Sequence, residues 1–116
     1  MLIKPSPSDW LMWRRTLDGQ GFSPLTQIDR GNVGALRMVW TRSMGAGRGE
    51  ATPLVYDGVM YLPNPSDDVQ ALDARSGELL WEYKRQLPAD LGKFMPVSAI
   101  NRNLAIYGTM IIDTSA

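Results

Sequence analysis

The sequence predicts an all-β chain, and three observations carry the prediction. Helical periodicity is weak throughout, and 11 glycines and 8 prolines spread along 116 residues leave long helices little room. Short apolar runs alternate with turn signals, the pattern of short strands joined as a meander. Third, the stretch Leu54–Leu62 returns 50 positions later as Leu104–Ile112, with Leu, Gly and Met coinciding at 54/104, 58/108 and 60/110. A period of about 40–50 residues with several strands per unit is the signature of propeller blades. The fold class is therefore a partial β-propeller, with about one complete four-stranded blade and parts of its neighbours.

The elements follow in order. Met1 to Ser8 has no hydrophobic signal core and reads as a lead-in, so residues 1–35 are set apart from a propeller portion at 36–116. Leu36 to Arg42 is expected to be a strand. Pro53–Tyr56 and Val59–Leu62 flank Asp57-Gly58, a two-residue hairpin turn in which both positions accept positive φ. Val69–Leu72 and Leu79–Tyr83 flank Asp73-Ala74-Arg75-Ser76-Gly77, which completes a blade at about 51–85. Leu104–Tyr107 and Met110–Ile112 flank Gly108-Thr109 and begin the next blade at about 101. By the 50-residue period the third strand of that blade would fall where the chain ends, and propellers need at least about four blades. The expectation is a piece of a longer protein. A weaker echo sets Val39-Trp40 against Leu80-Trp81.

Composition narrows the chemistry. Twelve Lys+Arg balance twelve Asp+Glu, so the basic excess that nucleic acid or an acidic membrane requires is missing. Without Cys there are no disulfides, thiolate metal sites or cysteine nucleophiles, and without His no histidine catalysis or histidine-bound metal. No apolar run approaches the ~20 residues of a membrane helix.

Ala71-Leu72-Asp73-Ala74-Arg75-Ser76-Gly77-Glu78-Leu79-Leu80-Trp81 resembles the tryptophan-docking motif of the pyrroloquinoline quinone (PQQ) dehydrogenases, A-x-D-x-x-x-G-(K/E)-x-x-W. Asp73 can bond N–H groups of its own turn, and Gly77 supplies the permissive dihedrals. Ala71 is small enough for an indole of an adjacent blade to approach, and Trp81 offers a flat apolar surface to a neighbour. An ordinary Asp-Gly hairpin with a core Trp is the plainer alternative. Upstream, Phe22-Ser23-Pro24-Leu25-Thr26-Gln27-Ile28, Asn32-Val33, Leu36 and Trp40 resemble the N-terminal segment of quinoprotein alcohol dehydrogenases, as does Gly49-Glu50-Ala51-Thr52-Pro53-Leu54-Val55 their first inner strand. The resemblance covers roughly residues 10–112.

That resemblance implies an eight-bladed propeller that oxidises alcohols to aldehydes, with PQQ near its axis beside Ca²⁺ or a lanthanide. It implies an electron acceptor such as cytochrome c or a quinone, and a periplasmic location. Glu50 matches the family's Glu in G-E-x-x-P-L, which touches the cofactor's polar edge. Arg102 matches the Arg that binds a PQQ carboxylate. The family's metal ligands and catalytic Asp match nothing in this chain and are expected further along. The adjacent cysteines of many members are replaced by Pro96 and Val97, so their disulfide ring is impossible.

The repeat supports both positions independently. Glu50 precedes Leu54 by four residues and Arg102 precedes Leu104 by two, so each lies where the chain runs into the innermost strand of a blade. A guanidinium there suits a tricarboxylate, since Arg stays charged and binds carboxylates bidentately. Glu50 would need a shared proton or an Arg neighbour beside a carboxylate, and the two could pair with each other. A surface ion pair or two solvated charges is the bland alternative. A noncatalytic scaffold propeller built from PQQ-like repeats, binding other proteins, is the rival function. Asp67-Asp68, Arg14-Arg15 and Lys84-Arg85 read as solvated charges. Trp10, Trp13 and Trp40 read as packing residues, and Gly45-Ala46-Gly47-Arg48-Gly49 as a crossing between blades, with Arg48 a weak cofactor-side candidate.

Overall fold

Turn chemistry and period-2 burial set the architecture of the computed structural model, which describes residues 3–94 and 103–114. Four strands form one antiparallel sheet in sequential order: β1 (Leu54–Tyr56), β2 (Val59–Asn64), β3 (Asp68–Asp73) and β4 (Leu79–Tyr83). A second, two-stranded sheet holds β5 (Leu104–Tyr107) and β6 (Met110–Asp113). The all-β fold and its blade-like meander are as the sequence predicts.

Each reversal has a backbone reason. Asp57 (φ 49°) and Gly58 (φ 76°) are both left-handed, the geometry of a two-residue type I′ turn whose twist matches the strands it joins. Between β2 and β3, Ser66 (φ 68°) and Asp67 (φ 60°) are also left-handed, although neither is glycine. Pro63 lies beyond the last pair between β1 and β2, Leu54 with Tyr61, so its missing N–H breaks no ladder on that side. Between β3 and β4, Gly77 (φ 74°) donates its N–H to the Asp73 carbonyl at 2.8 Å.

The lead-in is fastened to β1. Trp10 exchanges two backbone hydrogen bonds of 2.8 Å with Val55, covering part of an edge that would otherwise stand open, and the Asp57 N–H donates to the buried Asp9 carboxylate at 3.2 Å. Leu11 joins Leu54, Val69, Leu104 and Ile106 in one buried cluster, with Tyr56, Tyr61 and Ile111 against it. The second sheet is thus packed on the first through alternate residues of β5. Burying such a side chain contributes about 1.5–3 kcal/mol. All five residues of β4 are exposed, and the Trp81 ring leans on Tyr61 at 6.1 Å.

Leu36 to Arg42 differs from expectation. It belongs to no strand, because among the described residues no ladder partner runs beside it; Trp40 reaches the β3–β4 turn and Arg42 reaches β3, each through its side chain. No helix among the described residues is long and apolar enough to cross a membrane.

Candidate functional site

The two strands that open the repeats, β1 and β5, bring Leu54 and Leu104 into the same buried cluster. Each strand is entered from a preceding segment of the chain. Glu50 lies on the first of these segments, exposed, and it is not an unpartnered carboxylate. Arg48, two residues before it, is exposed as well. Arg102 belongs to the second segment and lies outside the described residues, as do Pro96 and Val97. Among the described residues, the approach to β1 carries one carboxylate, Glu50, and one guanidinium, Arg48, both exposed and so open to a polar ligand. Among the described residues no group of three or more Asp or Glu could hold a metal ion.

The glycine-rich approach to Glu50 is held from below. The Gly45 N–H donates to Asn64 Oδ1 at 3.2 Å, and Gly47 (φ 139°) lies against the Pro65 ring. Sequence reasoning missed Asn64 and Pro65; the Asn-Pro pair signals a turn but not what the turn would touch.

The docking turn works as its residue types suggest, with one shift of partner. Asp73 Oδ1 accepts from the N–H groups of Arg75 (2.9 Å) and Ser76 (2.7 Å) and from the Ser76 hydroxyl (3.0 Å). The Ser76 bonds, backbone first, hold the Asp73 carboxyl below the ordinary carboxylate range. The docking indole is Trp40. Its Nε1–H donates to the Ala74 carbonyl at 3.3 Å, and its ring covers Gly77 so closely that a Cβ there would stand 2.6 Å from Trp40 Cδ2. Ala71, expected to make room for that indole, is instead buried within β3 opposite Tyr61 and Trp81.

A polar chain crosses the outer strands. Arg42 Nε donates to Gln70 Oε1 (3.0 Å), Gln70 Nε2 donates to Glu82 Oε1 (2.8 Å), and Lys84 Nζ pairs with Glu82 Oε2 (3.1 Å). The Gln70 amide, more than Lys84, holds the Glu82 carboxyl below its usual range. Gln70 is buried, so its two bonds satisfy an amide that would otherwise be costly. Burial, assisted by Tyr56 and Asp57, pushes the Tyr61 phenol up.

Three residues depart from their expected surroundings. Arg15 is 9% exposed and donates from its guanidinium to the Ser6 carbonyl at 3.2 Å, because the chain coils back at Arg15 itself (φ 69°). Trp13 is 68% exposed, with the Arg14 guanidinium 5.2 Å from its ring, since the core side of that segment is taken by Leu11. Asp67 is buried and Asp68 opens β3, because the left-handed pair Ser66-Asp67 turns inward.

Comparison with known proteins gives these features a setting. The family described as PQQ, glucose/ethanol/alcohol dehydrogenase, β-propeller domain, matches residues 10–109. The chain is 42% identical over 102 residues to the quinohemoprotein alcohol dehydrogenase ADH-IIG of Pseudomonas putida, covering 87% of this chain and 14% of that protein. It is 43% identical over 90 residues to the 1-butanol dehydrogenase (cytochrome c) of Thauera butanivorans, covering 77% of this chain and 13% of that one. Among solved structures, a europium-containing methanol dehydrogenase superposes with a TM-score of 0.82 at 30% identity, over 98% of this chain and 20% of that one. The chain thus spans about one seventh of the length of these curated relatives.

Proposed function

The chain belongs to the PQQ glucose/ethanol/alcohol dehydrogenase β-propeller family, and we propose that the protein it forms part of oxidises alcohols to aldehydes with bound PQQ. The observation that supports this reading most is the reach of the family match: it runs through residues 10–109 and so includes both Glu50 and Arg102. When bound, PQQ supplies the two-electron acceptor chemistry. This chain's part is binding. The Arg102 guanidinium pairs with a cofactor carboxylate, and Glu50 accepts hydrogen bonds along the cofactor's polar edge. A metal ion, Ca²⁺ or a lanthanide, belongs to the same reading, supported by the europium-containing relative; none of the described residues is assigned to it. The alcohol is the small-molecule partner. Cytochrome c or a quinone takes the electrons, the former suggested by the name of the butanol-oxidising relative. The periplasm is the proposed compartment. Residues 1–35 are the lead-in and 36–116 the propeller portion, with Trp10 and Leu11 fastening one to the other.

The test is titration of the apoprotein with PQQ in the presence of Ca²⁺. Arg102→Ala is expected to weaken PQQ affinity by more than about tenfold, since a lost charge-assisted bidentate contact removes upwards of about 1.4 kcal/mol. Glu50→Gln weakens it less. Titrations unchanged by both substitutions would remove these roles, and a parent protein that binds no PQQ would favour the noncatalytic scaffold.

A further inference from the structure

The connection between β2 and β3 is built more elaborately than a chain reversal requires. Asn64 ends β2 and is 2% exposed. Its Nδ2 donates to the Leu62 carbonyl at 3.2 Å, within its own strand, while its Oδ1 accepts the Gly45 N–H, also at 3.2 Å, from a segment 19 residues away. Two residues past Gly45, the backbone of Gly47 rests on Pro65. A Cβ at Gly47 would lie 2.6 Å from Pro65 Cβ and 3.1 Å from its Cγ, and the φ of 139° is one that side chains rarely adopt. Ser66 and Asp67 follow in consecutive left-handed conformations without being glycine. Such residues persist only where their surroundings over-determine them, and they cluster where a fold serves a site.

We propose that Asn64 and Pro65 are positioning residues for the cofactor edge: they hold the loop at 45–49 so that Glu50 is presented ahead of β1. The proposal rests on the reading of Glu50 given above. Its logic is one of tethers. Upstream of the clamp Arg42 is bonded to Gln70, and downstream of Glu50 the chain runs into Leu54, buried in the core. Residues 45–49 are rich in glycine, so this stretch has little backbone stiffness of its own, and Asn64 and Pro65 fasten it. With the clamp in place Glu50 stands three residues from Gly47 and four from Leu54, so each tether is at most about 10–14 Å long. A carboxylate meant to meet a rigid ring system needs that restriction, because a displacement of about 1 Å costs a contact most of its value. Arg48, within the same clamped stretch, is exposed as Glu50 is.

The experiment compares Asn64→Ala, Gly47→Ala and Glu50→Gln in the full-length protein, reading PQQ affinity by titration and backbone amide exchange of the apoprotein by mass spectrometry. Asn64→Ala is expected to accelerate exchange over 44–50 while 59–73 stays protected, and to weaken PQQ binding about tenfold. Gly47→Ala, which disturbs the loop without touching the sheet, serves if Asn64→Ala fails to fold and should act in the same direction. Unchanged exchange over 44–50 overturns the clamp. So does unchanged PQQ affinity in a variant with a loosened loop, provided Glu50→Gln weakens binding. Glu50→Gln that binds as the parent does would overturn the role of Glu50 itself and, with it, the positioning role, while the exchange data would still report whether the loop is held.

Discussion

The hairpins β1–β2 and β5–β6 come from the same repeat and do not pair in the same register. In the first, Leu54 faces Tyr61; in the second, Leu104 faces Asp113, the residue that corresponds to Pro63. The return strand has slipped by two residues. The cause lies in the turn. Asp57 and Gly58 both take positive φ, which Asp and Gly tolerate. The residue corresponding to Asp57 is Tyr107, and a bulky aromatic strongly resists the left-handed region. The turn therefore moves one place along, Gly108 (φ 57°) takes its first position, and Thr109 its second. A slip of two preserves the faces, whereas a slip of one would invert them. Leu104, Ile106 and Ile111 accordingly still meet the cluster that Leu54, Tyr56 and Tyr61 meet. Repetition conserves which face is buried and leaves the pairing to local turn chemistry.

The hairpins also differ in what supports them. β2 lies between β1 and β3, while β6 has no further strand among the described residues. A lone hairpin is marginal in water, so β5–β6 must depend on its buried side chains. Truncating the corresponding leucines should expose the difference. Leu54→Ala is expected to destabilise the protein by about 3–5 kcal/mol, the range for a large cavity in a core that cannot collapse. Leu104→Ala should cost about 2–3 kcal/mol and act locally. Its signature would be faster amide exchange over 104–113 with protection kept at 59–73. Loss of protection in both segments alike would mean that the two hairpins form one cooperative unit, and the contrast would fail.

Within the four-stranded sheet, the largest effect outside the aliphatic core should come from Gly77. An alanine there meets the Trp40 ring at 2.6 Å and must also adopt φ 74°. Overpacking and left-handed strain together predict a loss of about 2–4 kcal/mol by denaturant titration. No glycine of the β5–β6 hairpin is so confined: Gly108 has open space around its Cβ position, and alanine there would suffer only the dihedral cost. A Gly77→Ala protein as stable as the parent would show that Trp40 is easily displaced and that docking contributes little.

Much of this was legible in the sequence because turns advertise themselves. Asp57-Gly58, Gly108-Thr109 and Asp73 through Gly77 each carry the residue types their dihedrals demand, and the strands between them followed. What was not legible depends on long-range contact. Nothing local distinguishes Arg15 from Arg14, yet one is buried and the other lies over Trp13. Nothing local says that Asn64 reaches Gly45. The strand expected at Leu36 to Arg42 failed for the complementary reason: its alternation is strand-like, but a strand exists only when another lies beside it. At the candidate site, the position of Glu50 on the approach to β1 could be read from the repeat, while the clamp beneath its loop required the fold.

The smallest energetic effect, and the sharpest test of the comparison, is expected from Tyr107→Asn. Asn-Gly is the strongest two-residue signal for a type I′ turn, because both residues accept positive φ. The substitution removes the obstacle that pushes the second turn along. The turn should move back to positions 107 and 108, and Leu104 should come to face Ile111, as Leu54 faces Tyr61. Little stability is at stake, about 1 kcal/mol or less, because Tyr107 is exposed and the even shift leaves Leu104 and Ile106 on the buried face. Cross-strand nuclear Overhauser contacts distinguish the registers directly: Leu104 with Asp113 in the parent, Leu104 with Ile111 in the variant. If the variant keeps the parental pairing, the register is set by packing of Ile111 and Asp113 against the first sheet, and the turn merely accommodates it.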